Sequence, residues 1–305
     1  MPDSLVRPLF DGAIDVVGDV HGEIDALQTL LDLLGYRPDG VHPEGRRLVF
    51  VGDLVDRGPD SPKVVDLVAR FVAEGTAQCV LGNHEFNILM KDKKPDNRWF
   101  FGDHVSLDKS DEITPAVLAD EEGRKRMKDF FQTLPLVLVR DDVRVVHACW
   151  NKPMVREALD ADSTKGLYSR FRDEIDRRQE GKIELDEIER GLEHQNLNPV
   201  KVLVSGPEHR VKKPFEAGGK MRHEKRTEWW KKYDANEYCF FGHYSNDRGK
   251  YDLKSRAICV DFSVGKRWEE RKRKSFNGTF SNLLAAARLP ERQIIYDNGD
   301  RESFG

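Results

Sequence analysis

The sequence predicts an α/β fold, and three observations carry that prediction. The first third alternates short apolar runs with amphipathic helical stretches. The second half adds further apolar runs with less helix between them. Five of these runs end in loops rich in Asp, Asn, His and Gly, which is how a sheet presents polar side chains at one edge.

Residues 13–17 read as the first strand, and a loop from Gly18 to Gly22 leads into a helix from about Glu23. On that helix Ile24, Leu27, Leu31 and Leu34 share one face, and Gly35 supplies the stop. Residues 48–51 form a second strand, again followed by a Gly-Asp loop. A helix beginning near Pro62 carries Val64, Leu67, Val68, Phe71 and Val72 as its inner stripe and stops at Gly75. Residues 78–81 are the third strand. Strand, crossover helix, strand is the pattern of a parallel sheet. Such sheets bind ligands outside the carboxyl ends of their strands, where Asp19, His21, Asp53, Asn83 and His84 fall.

Further on, residues 143–146 lead to His147 and residues 238–241 lead to His243. Residues 202–204, 257–260 and 293–296 complete a second set of strands, for which a mixed sheet is expected. Two stretches read as helical insertions. The first, about 91–134, ends in a helix bearing Met127, Phe130, Phe131 and Leu134. The second, about 154–198, is highly charged, with Phe171, Ile175, Ile183, Leu185, Ile188 and Leu192 as a sparse apolar stripe. There is no internal repeat and no low-complexity linker, so one domain over residues 1–305 is the simplest organisation.

Composition narrows the class. Of the 305 residues 38% are apolar and 34% charged, which describes a soluble protein with a polar surface. A net charge of -4 argues against general nucleic-acid affinity. Cys79, Cys149, Cys239 and Cys259 are widely spaced within apolar runs, as buried thiols of a reducing compartment would be. The N-terminus lacks the apolar core of a signal peptide, and no stretch approaches a membrane span, so a cytoplasmic protein with no membrane partner is expected.

The polar loops define the chemistry. They are Gly18-Asp19-Val20-His21-Gly22, Gly52-Asp53-Leu54-Val55-Asp56-Arg57-Gly58, Gly82-Asn83-His84-Glu85, and the surroundings of His147 and His243. Carboxylate and amide oxygens mixed with imidazole nitrogens, and no thiolate, suit Mn, Fe, Zn or Mg in a working site better than a structural zinc. Asp19 and His21 can aim at one ion from a tight turn. Asp53 is the natural bridge to a second, whose shell Asn83, His147 and His243 would complete. Two such ions can share a hydroxide and hold phosphoryl oxygens for in-line attack. An Asp56–His84 pair suits a general acid for the leaving-group oxygen. Arg57 can fork onto a phosphate, with Asn83 as a further substrate contact. Glu85 is expected to orient a neighbour.

Spelled this way, the loops resemble the calcineurin-like metallophosphoesterase superfamily. They are closest to its phosphoprotein phosphatase branch, which includes bacterial diadenosine tetraphosphatase-like enzymes. The resemblance implies two packed mixed sheets flanked by helices. It implies one divalent ion on Asp19, His21 and Asp53, and another on Asp53, Asn83, His147 and His243, with Mn²⁺ the first choice. It also makes His84 the acid, oriented by Asp56, and Arg57 a phosphate ligand. The similarity runs over about residues 13–90 and short motifs at His147 and His243. The Ser-Ala-Pro-Asn-Tyr-Cys stretch of eukaryotic-type members has no counterpart here. A second phosphate arginine, usual between the two late histidines, has Arg170, Arg172 and Arg210 as candidates.

The leading expectation is therefore a phosphatase acting on phosphomonoesters, phosphoproteins included, by attack of a metal-bridging hydroxide. The alternative is a dinucleoside polyphosphate hydrolase. A non-catalytic binding module on the same scaffold would be expected to lack ligands, and none is missing. The basic stretch from Arg210 to Lys232, with Trp229 and Trp230, separates the first two. It is either a substrate lid over about 207–235 that stacks a base, or a solvated surface with two packing tryptophans. His42, His104, His194, His209 and His223 have no motif around them and read as surface or core histidines.

Overall fold

The computed structural model describes residues 4–102, 116–182, 184–217, 220–246 and 255–305. Ile183 and His104 lie outside the described residues, as does the middle of the 91–134 stretch.

Two mixed sheets face one another. One has six strands in the order β13 (Arg301–Ser303), β12 (Gln293–Tyr296), β11 (Ala285–Leu289), β2 (Ile14–Val17), β3 (Arg47–Phe50) and β4 (Ala77–Cys79). The other has five, in the order β1 (Val6–Pro8), β5 (Val137–Val139), β6 (Val143–Val146), β9 (Tyr238–Phe241) and β10 (Ala257–Cys259). β2, β3 and β4 run parallel, as do β6, β9 and β10. Alternate residues of both sheets meet in one apolar layer. Ile14, Val16 and Val49 from the first pack with Val143, Val145, Phe240 and Ile258 from the second.

The outer faces take helices. Helix α1 (Ile24–Leu34) buries Ile24, Leu27, Leu30, Leu31 and Leu34, and Gly35 ends it in the left-handed conformation at φ 90°. Helix α2 (Ser61–Ala73) starts from the Asp60 side chain, which accepts from the Lys63 amide, with Pro62 in the first turn. Helix α3 (Asn83–Leu89) follows β4 directly. Within the 91–134 stretch, a four-residue helix α4 (Arg98–Phe101) precedes α5 (Glu121–Thr133), which buries Met127 and Phe131. Residues 154–198 are largely helical: Lys152–Leu159, Thr164–Gln179 and Glu187–Leu197.

Two expectations need correction. The apolar run 202–204 is not a strand but part of a helix, Pro199–Ser205. Asn198 caps that helix through its side chain and Pro199 fixes its first turn, signals that outweigh a short β-branched run. Residues 293–296 are a strand, but of the sheet that holds β2 rather than of the second sheet. The link is β11, whose alanine-rich sequence carries little strand signal. Ala285, Ala286 and Ala287 are fully buried between β2 and β12, so tertiary packing decides their conformation. The basic stretch forms an antiparallel hairpin of β7 (Glu208–Ala217) and β8 (Lys220–Arg226).

The four cysteines are buried thiols, none of them in a disulfide. No helix among the described residues is long and apolar enough to cross a membrane.

Candidate metal centre

Five parallel strands deliver the candidate residues from their carboxyl ends. Asp19 and His21 follow β2, Asp53, Asp56 and Arg57 follow β3, and Asn83 and His84 open α3 after β4. His147 follows β6 and His243 follows β9, so both sheets contribute. Five of these residues leave the strands through left-handed backbone: His21, Asp53, Asp56, Arg57 and His243 have φ of 48°, 50°, 72°, 69° and 69°. Each such non-glycine position costs roughly 1–3 kcal/mol and persists only where its surroundings hold it.

The hydrogen bonds that hold it are present. The Asp53 carbonyl accepts from the amides of Val20 (3.0 Å) and His21 (2.9 Å), tying the first loop to the second. Glu85 fastens the second loop. Its Oε2 accepts from the amides of Asp53 (2.9 Å) and Gly82 (3.0 Å), and its Oε1 from Leu54 (2.8 Å). The expectation that Glu85 orients a neighbour is thus met by the backbone it grips. Gly242 allows the last loop to approach, because a Cβ there would collide with the Asp19 carboxylate.

Asp53 sits at the middle. Its Oδ2 lies 3.3 Å from His147 Nε2, 3.8 Å from His84 Nε2 and 3.9 Å from His21 Nε2. Its Oδ1 accepts the His84 amide at 3.0 Å. Asn83 Oδ1 lies 2.6 Å from His243 Nδ1 and 3.1 Å from His147 Nε2. Asp19 Oδ2 accepts the His243 amide at 3.0 Å and lies 3.9 Å from His21 Nε2. His21 Nδ1 and His147 Nδ1 face the carbonyls of Val55 (3.0 Å) and Val51 (2.8 Å). A carbonyl only accepts, so both rings carry a proton on Nδ1 and turn Nε2 inward.

These residues fit a pair of divalent ions. Ligand atoms of His21, Asp53 and His84, and again of Asp53, His147 and His243, lie within 4.8 Å of one another. Asp19 Oδ1 and His243 Nε2 are buried with no hydrogen-bond partner, as atoms meant for an ion would be.

The electrostatics are those of a crowded, buried cluster. Burial, with Asp261 and Asp53 nearby, raises Asp19 well above the usual carboxylate range. Burial opposes ionisation of Asp53 too, but the surrounding imidazoles of His147 and His84 hold it well below. Burial works against a charged His147, yet the Asp53 carboxylate pushes it up to about 9. His21 and His243 are lowered by burial, aided by Arg57 and Arg226 respectively. Burial, then Asp53, lifts Glu85 to about 7.

Beside the cluster, Asp56 Oδ2 lies 2.6 Å from His84 Nδ1. Arg57 reaches across with Nη1 3.0 Å from His21 Nε2 and Nη2 3.2 Å from His84 Nε2. Its Nε lies 3.6 Å from the Asp96 carboxylate. All nine predicted site residues therefore converge.

The second-arginine candidates do not. Arg170, Arg172 and Arg210 pair with Glu157, Asp173 and Asp186 on exposed surface. Arg226 is the guanidinium at the centre, donating from Nη1 to the His243 carbonyl at 2.9 Å. Sequence reasoning missed it because only the β7–β8 hairpin, which Arg226 ends, places it against the loop after β9. Trp229 and Trp230 pack rather than present themselves: Trp229 Nε1 donates to the Ala148 carbonyl at 2.8 Å, and the Trp230 ring lies 4.6 Å from that of Tyr244.

Comparison with known proteins agrees with this geometry. Residues 12–264 match the calcineurin-like phosphoesterase family. The chain belongs to that family. Among curated relatives it is similar to the bis(5'-nucleosyl)-tetraphosphatase PrpE of Anoxybacillus flavithermus, 36% identical over 143 residues, 44% of this chain and 55% of that protein. The PrpE of Bacillus subtilis is 34% identical over 147 residues, 45% of this chain and 57% of that one. The chain thus spans a little over half the length of these relatives. A crystal structure provisionally described as a diadenosine tetraphosphatase shares the fold with a TM-score of 0.53 at 19% identity, covering 96% of this chain and 97% of that one. The cold-active protein-tyrosine phosphatase of a psychrophilic Shewanella also has a TM-score of 0.53, at 16% identity, covering 100% of this chain and 83% of that one.

Proposed function

We propose that the chain hydrolyses phosphomonoesters at a two-ion centre. Asp19, His21 and Asp53 would hold one ion, and Asp53, Asn83, His147 and His243 would hold the other. The observation that carries this reading is Asp53 Oδ2, placed 3.3–3.9 Å from three imidazoles drawn from both sheets. When bound, divalent ions supply Lewis acidity and lower the pKa of water. Mn²⁺ suits the hard oxygen and imidazole donors. The four reduced, buried thiols suit the cytoplasm.

The chain's own groups do the rest. Arg57 and Arg226 flank the centre and bind the phosphoryl oxygens, with Asn83 as a further contact. His84, held through Nδ1 by Asp56, points Nε2 into the site. A water oxygen forms its bond to phosphorus and gives up a proton to solvent as the P–O bond to the leaving group breaks; that bond's electron pair stays on the leaving oxygen, which takes the proton from His84 Nε2.

A second reading, hydrolysis of dinucleoside polyphosphates, is supported by the names of the PrpE relatives and by the basic hairpin that ends in Arg226. The packing of Trp229 and Trp230 counts against it, since Trp229 is tied to the Ala148 carbonyl and Trp230 packs against Phe241 and Tyr244.

A panel separates the two: an aryl phosphomonoester, a phosphopeptide, diadenosine tetraphosphate and a phosphodiester, at matched concentration with Mn²⁺. Preference for the first two is expected. Preference for diadenosine tetraphosphate would replace the first reading with the second, and no turnover of any would remove both. Within the same assay, Arg57→Ala and Arg226→Ala should each lower kcat/KM about 10- to 100-fold, the scale of a lost charge-assisted hydrogen bond. The loss should fall mainly on KM. An unchanged kcat/KM removes that arginine from the phosphate site.

A further inference from the structure

The acid pair has a third member that no motif announces. Trp99 on α4 is buried, with 3% of its surface exposed, and its indole Nε1 lies 2.5 Å from Asp56 Oδ1. The other oxygen of the same carboxylate lies 2.6 Å from His84 Nδ1. Asp56 is thus gripped from both sides, by an N–H donor whose position cannot drift.

The segment that carries Trp99 is itself fixed. Asn97, fully buried, accepts the Lys94 amide through Oδ1 at 2.9 Å and donates through Nδ2 to the Asp92 carbonyl at 2.9 Å. The Trp99 carbonyl accepts the Ala119 amide at 2.9 Å, and the Phe100 carbonyl accepts from Arg124 Nη1 at 3.3 Å. Two residues before this helix, Asp96 lies 3.6 Å from Arg57 Nε. One short segment therefore touches both the carboxylate behind the acid and the guanidinium beside it.

We infer that Trp99 is a positioning residue for the leaving-group proton: its indole N–H locks the Asp56 carboxylate so that His84 holds Nε2 toward the leaving oxygen. A carboxylate with one free oxygen can rotate about its Cβ–Cγ bond, and the imidazole it holds would swing with it. The indole N–H restrains that rotation through Oδ1, and a phenyl ring, which has no donor, would not. The inference rests on His84 being the acid.

The test is Trp99→Phe, which keeps an aromatic ring in the pocket and removes the donor along with part of the ring volume. With an alkyl phosphate, whose leaving oxygen needs a proton, kcat should fall about tenfold. With a dinitrophenyl phosphate, whose leaving group departs as the anion, it should hold within about twofold. Both KM values should stay near wild type. A ¹⁵N-tryptophan spectrum of the wild-type enzyme with Zn²⁺ supplied is the second measurement. One of the five indole signals should lie far downfield, vanish in Trp99→Phe and move upfield in Asp56→Asn. Should Trp99→Phe fail to fold, the wild-type and Asp56→Asn spectra decide by themselves. No downfield indole, or one indifferent to Asp56→Asn, overturns the inference. So does equal loss, or no loss, on both substrates while His84→Asn keeps a selective one. If His84→Asn shows no selectivity, the acid reading itself falls, and the inference with it.

Discussion

Asp53→Asn should abolish turnover, by about three orders of magnitude or more, and should strip metal from the purified protein. The size follows from the role: losing several kcal/mol of metal-derived transition-state stabilisation is worth about a factor of ten per 1.4 kcal/mol. The substitution is clean because the two oxygens do different work. Oδ1 accepts the His84 amide at 3.0 Å, and an asparagine oxygen can keep that bond. Oδ2 faces the three imidazoles, and there an amide nitrogen has no lone pair to offer a metal. The fold should therefore survive while both ion positions weaken together. Metal content by atomic emission and thermal unfolding should be measured on the same preparation. Near-normal activity would sink the bridging role. Loss of only half the metal would place Asp53 on one ion alone.

The parts of the centre that were legible in the sequence share a physical reason. A residue that must leave a parallel strand and turn back toward a ligand needs glycine beside it and a polar side chain at once. That combination is local and rarely serves anything else. Asp19, His21, Asp53, Asp56, Arg57, Asn83 and His84 all sit in such turns and were readable. His147 and His243 were readable only as ends of apolar runs, since nothing nearby repeats the glycine-rich spelling except Gly242. Arg226 and Trp99 carry no local mark. Each reaches the site through tertiary structure, Arg226 by hairpin pairing against Glu208 and Trp99 by burial of α4 under the Asp56 loop. The same divide runs through the fold. The five strands that lead to the metal loops, and helices α1 and α2 with their clear stripes, were placed within a residue or two, whereas β1 and β5 were not read. β11 was missed because three alanines favour a helix until two neighbouring strands claim them. The run 202–204 was misread because an apolar tripeptide has no period, and the capping asparagine before Pro199 was the decisive signal.

His84→Asn carries the second large effect, and it separates two roles that the geometry leaves adjacent. His84 shares a cluster with His21 and Asp53, within the 4.8 Å span of a metal shell, so a ligand role would explain its place as well as an acid role does. What favours the acid is the other ring nitrogen. Nδ1 lies 2.6 Å from a carboxylate rather than from a carbonyl, unlike Nδ1 of His21 and His147. A carboxylate partner stabilises the charged ring, which is what a proton donor needs and a metal ligand does not. In line with this, burial disfavours a charged His84, yet Asp53 and Asp56 together leave it raised above the usual imidazole range. Asparagine retains an amide donor for Asp56 but has no proton to give. The variant should keep its ions and lose about 100-fold or more in kcat on alkyl phosphates. On dinitrophenyl phosphate, where the leaving oxygen needs no proton, the loss should be a few-fold. A plot of log kcat against leaving-group pKa should steepen accordingly. Metal loss from the variant would instead make His84 a ligand. Equal loss across the series would leave it neither the acid nor a bystander, but a contact to the phosphate itself.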